Sequence, residues 1–209
     1  VINLENYFEK GFEVTKLTPD IVTKLWQIVY TTNWINDESG YKSKPDWYQA
    51  KDITNDSNSR IYQGKIEREC GRELLNNSPT DIIDIAQHII NSNFFSPLRV
   101  FKNNTELKYV HLWNGAEDIS WHSDAIDGSD MLILIYLTEE LQWDNDWGGC
   151  IEIAKDVNDQ KRYQTLVQPL SGNMVAINNA NPLVKHRVHA LTNQTVNRYT
   201  FNMCFNWLS

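Results

Sequence analysis

The sequence predicts a mainly β protein with flanking N-terminal helices, an α+β chain whose β half forms a sandwich, barrel or jelly roll. Three observations point there. Apolar residues at helical spacing occur only in the first hundred residues. From about residue 97, short runs rich in β-branched and aromatic residues alternate with turn clusters. No helical segment interrupts those runs.

Thr18-Pro19-Asp20 reads as an N-cap followed by Pro at the first helical position. Apolar residues at 21, 22, 25, 26, 28 and 29 continue it as one helical face to Tyr30. A second start, Ser78-Pro79-Thr80-Asp81, precedes Ile82, Ile83, Ile85, Ala86, Ile89 and Ile90, again at helical spacing. Between the two, residues 36–64 are rich in Asn, Asp, Ser, Lys and Gly, and read as a long irregular excursion of the functional kind. The predicted strands are Leu107–Trp113, Ile119–Asp124, Met131–Leu137, Cys150–Ile153, Gln164–Val167, Asn173–Ile177, Val184–Leu191 and Arg198–Trp207. Asn114-Gly115, Asp127-Gly128, Gly148-Gly149, Ser171-Gly172 and Asn193-Gln194 mark breaks between them. At 209 residues this suits one domain, with 1–100 a helical support region and 101–209 the β core.

Composition narrows the partners. Hydrophobic residues make up 41%, with eight tryptophans, enough for a packed core. The net charge of −8 and the lack of a Lys/Arg run disfavour a nucleic-acid backbone or an anionic membrane surface. No stretch approaches the ~18 apolar residues of a membrane span. Val1 to Phe12 carries charges and Asn and lacks the apolar core of a signal peptide. Cys70, Cys150 and Cys204 are odd in number and scattered, which argues against a disulfide framework or a thiolate zinc site. A reducing, cytoplasmic setting is the expectation.

The chemistry is concentrated in Trp121-His122-Ser123-Asp124. Alternate side chains of a strand share a face, so His122 and Asp124 point together and Ser123 opposite. An imidazole nitrogen and a carboxylate oxygen can thus take two adjacent positions around a metal. A third ligand from another strand would complete a two-His-one-carboxylate triad with open positions, an arrangement suited to Fe(II). The bland reading is a surface strand with a solvated Asp. His186-Arg187-Val188-His189 offers the third ligand, starting 62 residues after Asp124, room for a return strand. His186 and Val188 share one face of that run, Arg187 and His189 the other.

Four pieces then occur in one order: His122-Ser123-Asp124; Leu132-Ile133-Leu134-Ile135-Tyr136-Leu137-Thr138; Trp147-Gly148-Gly149-Cys150-Ile151-Glu152; and His186-Arg187-Val188-His189-Ala190-Leu191 leading into Arg198-Tyr199-Thr200-Phe201. Together they resemble the iron(II)/2-oxoglutarate dioxygenase superfamily, within it the prolyl 4-hydroxylase-like branch, over roughly residues 107–207. The resemblance implies a double-stranded β-helix, the cupin-like jelly roll. It implies that His122, Asp124 and His186 ligate Fe(II), and that Arg198 and the Tyr136 hydroxyl hold the C5 carboxylate of 2-oxoglutarate. Inward projection of Arg198 then carries Thr200, Asn202 and Cys204 inward as well. The implied reaction uses O2, with ascorbate as a further cofactor. It hydroxylates a C–H bond of a prolyl residue in a peptide or protein and releases succinate and CO2. The intact Asp124 favours hydroxylation over halogenation, since related halogenases replace that carboxylate.

This chain departs from the family pattern twice. The turn from His186 to Arg198 is longer than usual, with Thr192–Asn197 inserted. Spacing to Arg198 alone would favour His189 as ligand, whereas the H-x-V-x-x-[VL] run favours His186. Where relatives often carry a Tyr upstream of H-x-D, this chain has Leu112-Trp113, with Tyr109 and His111 nearby. His111 reads as a core or supporting histidine and His88 as structural or surface. Trp121, Trp143 and Trp147 read as packing or loop anchors. Lys185, Arg187 and the acidic stretch Glu139, Glu140, Asp144 and Asp146 read as solvated. A hydroxylase of a free amino acid or small metabolite is an alternative, as are a catalytically idle jelly-roll metal-binding module and a cupin-type Mn or Fe enzyme. Oligomeric state is not readable from the residues.

Overall fold

In the computed structural model, the residues described are 3–36, 41–45, 80–91, 105–115, 118–124, 130–157 and 160–207. The chain opens with helix α1, Leu4–Lys10, which no periodicity announces. Its ends are closed by side chain and backbone instead. The Asn3 side chain accepts from Asn6 N at 3.2 Å, and Gly11 ends the helix at φ +87°, its N–H donating to Tyr7 O. Gly11 is also packed too closely for a side chain, since a Cβ there would lie 2.1 Å from Val184 Cγ2.

Strand β1, Phe12–Lys16, leads to helix α2, Pro19–Thr31, with Pro at its start as expected. Helix α2 buries Ile21, Leu25, Ile28 and Val29. Helix α3, Thr80–Asn91, buries Ile82, Ala86 and Ile89, and His88 is exposed. Ser78 and Pro79, the expected cap of that helix, lie outside the described residues. Short strands β2, Trp34–Asn36, and β3, Tyr41–Pro45, pair with each other. They correct the expectation of an irregular excursion from residue 36 at these positions; the rest of 46–64 lies outside the described residues.

Then come β4 (Thr105–Gly115), β5 (Ile119–His122), β6 (Met131–Leu137), β7 (Ile151–Val157), β8 (Gln160–Val167), β9 (Asn173–Asn178), β10 (Val184–Val188) and β11 (Tyr199–Trp207). All eight predicted strands are present, with ends shifted by a few residues. They form two antiparallel sheets, ordered β1-β9-β6-β11-β4-β3-β2 and β5-β10-β7-β8. The two facing sheets with N-terminal helices are the double-stranded β-helix arrangement.

β6 shows why some strands carry no polar alternation. Every residue of Met131–Leu137 is buried, because the strand is covered on both faces. Met131, Ile133, Ile135 and Leu137 pack with the helices, together with Phe201, Met203 and Phe205 of β11. Leu132, Leu134 and Tyr136 face the other sheet, with Phe12, Ile151, Ile153, Val175 and Cys204. Cys204 is therefore inward, as alternation from Arg198 requires. Cys150 and Cys204 are buried free thiols, and Cys70 lies outside the described residues. No helix among the described residues is long and apolar enough to cross a membrane.

Candidate metal centre

β5 and β10 are neighbours, and His122 and His186 are direct register partners. That pairing places two imidazoles side by side, with ring centroids 4.2 Å apart. β5 ends at His122, so Asp124 is on the turn that follows rather than on the strand, yet it still returns to the same face. Its two oxygens meet both rings: Oδ1 is 3.3 Å from His122 Nε2 and Oδ2 is 3.5 Å from His186 Nε2. Ligand atoms of all three residues lie within 4.8 Å of one another.

Hydrogen bonding and burial put these groups in the protonation states a metal needs. His122 Nδ1 lies 2.8 Å from Ser120 O. A proton on Nδ1 makes that contact a hydrogen bond, the usual device for aiming a histidine so that its Nε2 can serve as a metal ligand. Burial depresses the His186 pKa to about 4, further lowered by His122 and opposed by Asp124, so the ring is neutral at pH 7. For Asp124, burial works to raise the pKa. The hydrogen bond to His122 and the nearness of the His186 and His122 rings outweigh it and hold the carboxyl below its ordinary value. Two imidazoles and one carboxylate, with no thiolate, make a donor set that fits Fe(II).

His189 lies outside this group. Its Nε2 is 3.2 Å from Glu152 Oε2, with Arg187 on the same carboxylate. Alternation separates the two histidines as the sequence pattern suggests, His186 inward and His189 away. Arg187 stays partly solvated as expected, its side chain 40% exposed, and is also ion-paired at 2.5 Å to a carboxylate only 7% exposed. Lys185 likewise pairs with Asp156 at 2.6 Å. Asp144 and Asp146 are exposed, and Asp144 caps the short 3-10 turn Asn145–Trp147 by accepting from Asp146 N.

Arg198 is 2% exposed and directly precedes β11. Its Nη1 donates to Gly149 O at 2.9 Å, so the side chain spans from one sheet to the turn before β7 in the other. Tyr136, also 2% exposed, is the register partner of Thr200 on the same inner face. The Trp147-Gly148-Gly149 turn builds the seat for Arg198. Both glycines have positive φ, and a Cβ on Gly148 would lie 1.8 Å from Ala190 O. Gly149 N donates to His189 O and Ala190 O, Thr192 N donates to Trp147 O, and Trp143 Nε1 donates to Gly148 O. The longer Thr192–Asn197 connection is fastened here: Val196 is buried with Trp143, Cys150 and Leu191. Trp143 and Trp147 form an edge-to-face pair, so both act as loop anchors. The side chains of Tyr109 and His111 lie outside the described residues.

Sequence reasoning missed the Gly149 carbonyl and the partners of Glu152. Both depend on pairings between distant strands. The Trp-Gly-Gly tripeptide was the only local signal for the first.

The family described as the 2OG-Fe(II) oxygenase superfamily matches residues 107–206. No curated protein matches the sequence. Among solved structures, a Pseudomonas putida prolyl-4-hydroxylase aligns over 99% of this chain and 93% of its own, at 14% identity and TM-score 0.50. A Trichoplax adhaerens prolyl hydroxylase, in complex with a hypoxia inducible factor oxygen degradation domain peptide fragment, aligns over 97% and 87%, at 14% identity and TM-score 0.55. An oxidoreductase of the 2OG-Fe(II) oxygenase family from Burkholderia pseudomallei aligns over 97% and 87%, at 10% identity and TM-score 0.57. At such identities these likenesses speak to the fold, while the sequence match falls on the β core that carries the two-His-one-carboxylate group. Through that core, the chain is similar to the 2OG-Fe(II) oxygenase superfamily.

Proposed function

We propose that this 2-oxoglutarate-dependent oxygenase hydroxylates a prolyl residue in a peptide or protein, with His122, Asp124 and His186 as iron ligands and Arg198 and Tyr136 as holders of the 2-oxoglutarate C5 carboxylate. The observation that supports it most is the convergence of His122, Asp124 and His186 on one point of the sandwich interior. When bound, Fe(II), 2-oxoglutarate and O2 supply oxidation of a C–H bond coupled to formation of succinate and CO2.

The chain's own residues account for binding and orientation. Asp124, kept ionised, and the imidazoles of His122 and His186 would hold the metal through one ligand atom each. Arg198 is preset by its bond to Gly149 O, and its guanidinium fork suits a carboxylate in charge-assisted hydrogen bonds. The Tyr136 hydroxyl lies on the same inner face and can donate to that carboxylate. Leu132, Leu134, Ile151, Ile153 and Val175 wall the neighbouring interior with apolar surface that excludes water.

The prolyl assignment is supported by the Tyr136-Leu137-Thr138 and Trp147-Gly148-Gly149 signatures and by the fold shared with prolyl hydroxylases. It is tested by incubating the Fe(II)-loaded protein with 2-oxoglutarate, air and separate pools of proline-containing peptides and free amino acids. The expected product is a peptide heavier by one oxygen atom, with the oxygen mapped to proline. Oxygen gained only by free amino acids would contradict it.

A further inference from the structure

Behind the metal ligands, on the outer face of the four-stranded sheet, is a second polar cluster. Glu152 is at its centre, on β7, pointing away from the inward Ile151 and Ile153. Its Oε2 accepts from Arg187 Nε and Nη2 at 2.5 Å each and lies 3.2 Å from His189 Nε2. Its Oε1 accepts from Gln164 Nε2 of β8. The Arg187 guanidinium in turn lies 5.3 Å from the ring centre of Trp121 on β5. The network thus crosses all four strands, and two of its members adjoin metal ligands in sequence: Trp121 precedes His122, and Arg187 follows His186.

The two histidines are held differently. His122 has Ser120 O beside its Nδ1, whereas His186 Nδ1 is buried with no hydrogen-bond partner among the described residues. A ligand histidine is ordinarily aimed by a bond at its second nitrogen. The position of His186 therefore depends on the course of β10, whose register with β5 slips between His186 and Val188. Beside its unbroken pairing with β7, β10 is fastened there on the other face by Glu152 through Arg187.

Resting on the metal-site reading above, we infer that Glu152 is a positioning residue for the metal centre. It anchors β10 from outside and so sets where His186 Nε2 stands. It also cancels the Arg187 charge, which would otherwise sit one residue from a dication site. A carboxylate this buried requires such partners, but sheet cohesion alone would not tie it to metal affinity.

The test is titration of the full-length, metal-free protein with Co(II), followed by its visible absorption, for wild type, Glu152→Gln and Glu152→Ala. 2-Oxoglutarate affinity is then measured at saturating Co(II). The expected result is Co(II) affinity weaker by about tenfold or more, the range for residues that orient ligands, with 2-oxoglutarate affinity unchanged. Unaltered Co(II) affinity, or equal losses for metal and 2-oxoglutarate, would overturn the inference. Should Glu152→Ala not fold, Glu152→Gln, which keeps the side chain's shape, decides alone. If wild type itself bound no Co(II), the metal-site reading would fall, an outcome distinct from failure of Glu152's role.

Discussion

Asp124 touches both histidines, and each of its oxygens has one imidazole within 3.5 Å. Without it, the two rings would face each other with no anion between them. Asp124→Ala should lower Co(II) affinity by more than about 100-fold, beyond the roughly 10–100-fold effect of a supporting residue; the same titration measures it. Arg198 makes a different demand. Hydrogen bonds to charged groups contribute roughly 1.5–3 kcal/mol. Arg198→Ala should therefore raise the dissociation constant for 2-oxoglutarate by about 10–150-fold, with less change in metal affinity. Calorimetric titration into Co(II)-loaded protein reads the difference, and an unchanged constant would remove Arg198 from the co-substrate site. Side-chain alternation made much of this legible. The two-residue period puts His122 with Asp124 and parts His186 from His189. It could not show that Asp124 leaves the strand, because turn geometry after His122 is not written in an alternation pattern.

The tripeptide Trp147-Gly148-Gly149 is an element whose purpose appears only when the strands are assembled. Its carbonyl at Gly149 holds Arg198, and its positive φ values exclude ordinary side chains at low cost. Gly149→Ala should cost about 1–2 kcal/mol of stability from the left-handed backbone alone. It should also weaken 2-oxoglutarate more than metal, because Trp143 and Leu191 crowd the added methyl beside the carbonyl that holds Arg198. Denaturant unfolding and ligand titration check the two parts. The Glu152 network makes a prediction in pH. Burial opposes ionisation of Glu152, but bonds from Arg187, Gln164 and His189 win and lower its pKa. A depressed carboxyl contributes stability above its unfolded value, about 4.3, and loses it as pH falls through the lower folded value. The stability gap between wild type and Glu152→Gln should be constant near neutrality and shrink in acid; a gap that widened in acid would contradict the assignment. The eight strands of the core were legible because β-branched runs are punctuated by glycine and asparagine turns. Strands β1–β3 were not. Tyr41–Pro45 is polar and ends in proline, Trp34–Asn36 is three residues long and pairs with the neighbouring β3, and β1 and β3 owe their strand form to distant partners. Helix α1 has seven residues and depends on its caps and on the packing of Tyr7.

At the scale of the molecule, the interior between the sheets is divided. One part is apolar, with Phe12, Leu132, Leu134, Val175 and Ile177. The other carries the buried His186, Arg198 and Thr200, with His122 and Asp124 half-buried beside His186. The helices pack on the far side of the larger sheet and so stiffen β6 and β11 without reaching this chemistry. A ligand that binds only the folded state stabilises it by about 2.7 kcal/mol at a hundred times its dissociation constant. Chelation should therefore lower the melting temperature of metal-loaded wild type and leave Asp124→Ala unmoved, as calorimetry would show. The central claim is that this interior runs 2-oxoglutarate-dependent oxidation. It is tested most directly by measuring succinate from 2-oxoglutarate when anaerobically Fe(II)-loaded protein meets air, beside Asp124→Ala. Succinate from wild type and none from the variant is the predicted result. Equal succinate from both, or none from wild type even with the peptide and amino-acid pools present, would contradict it.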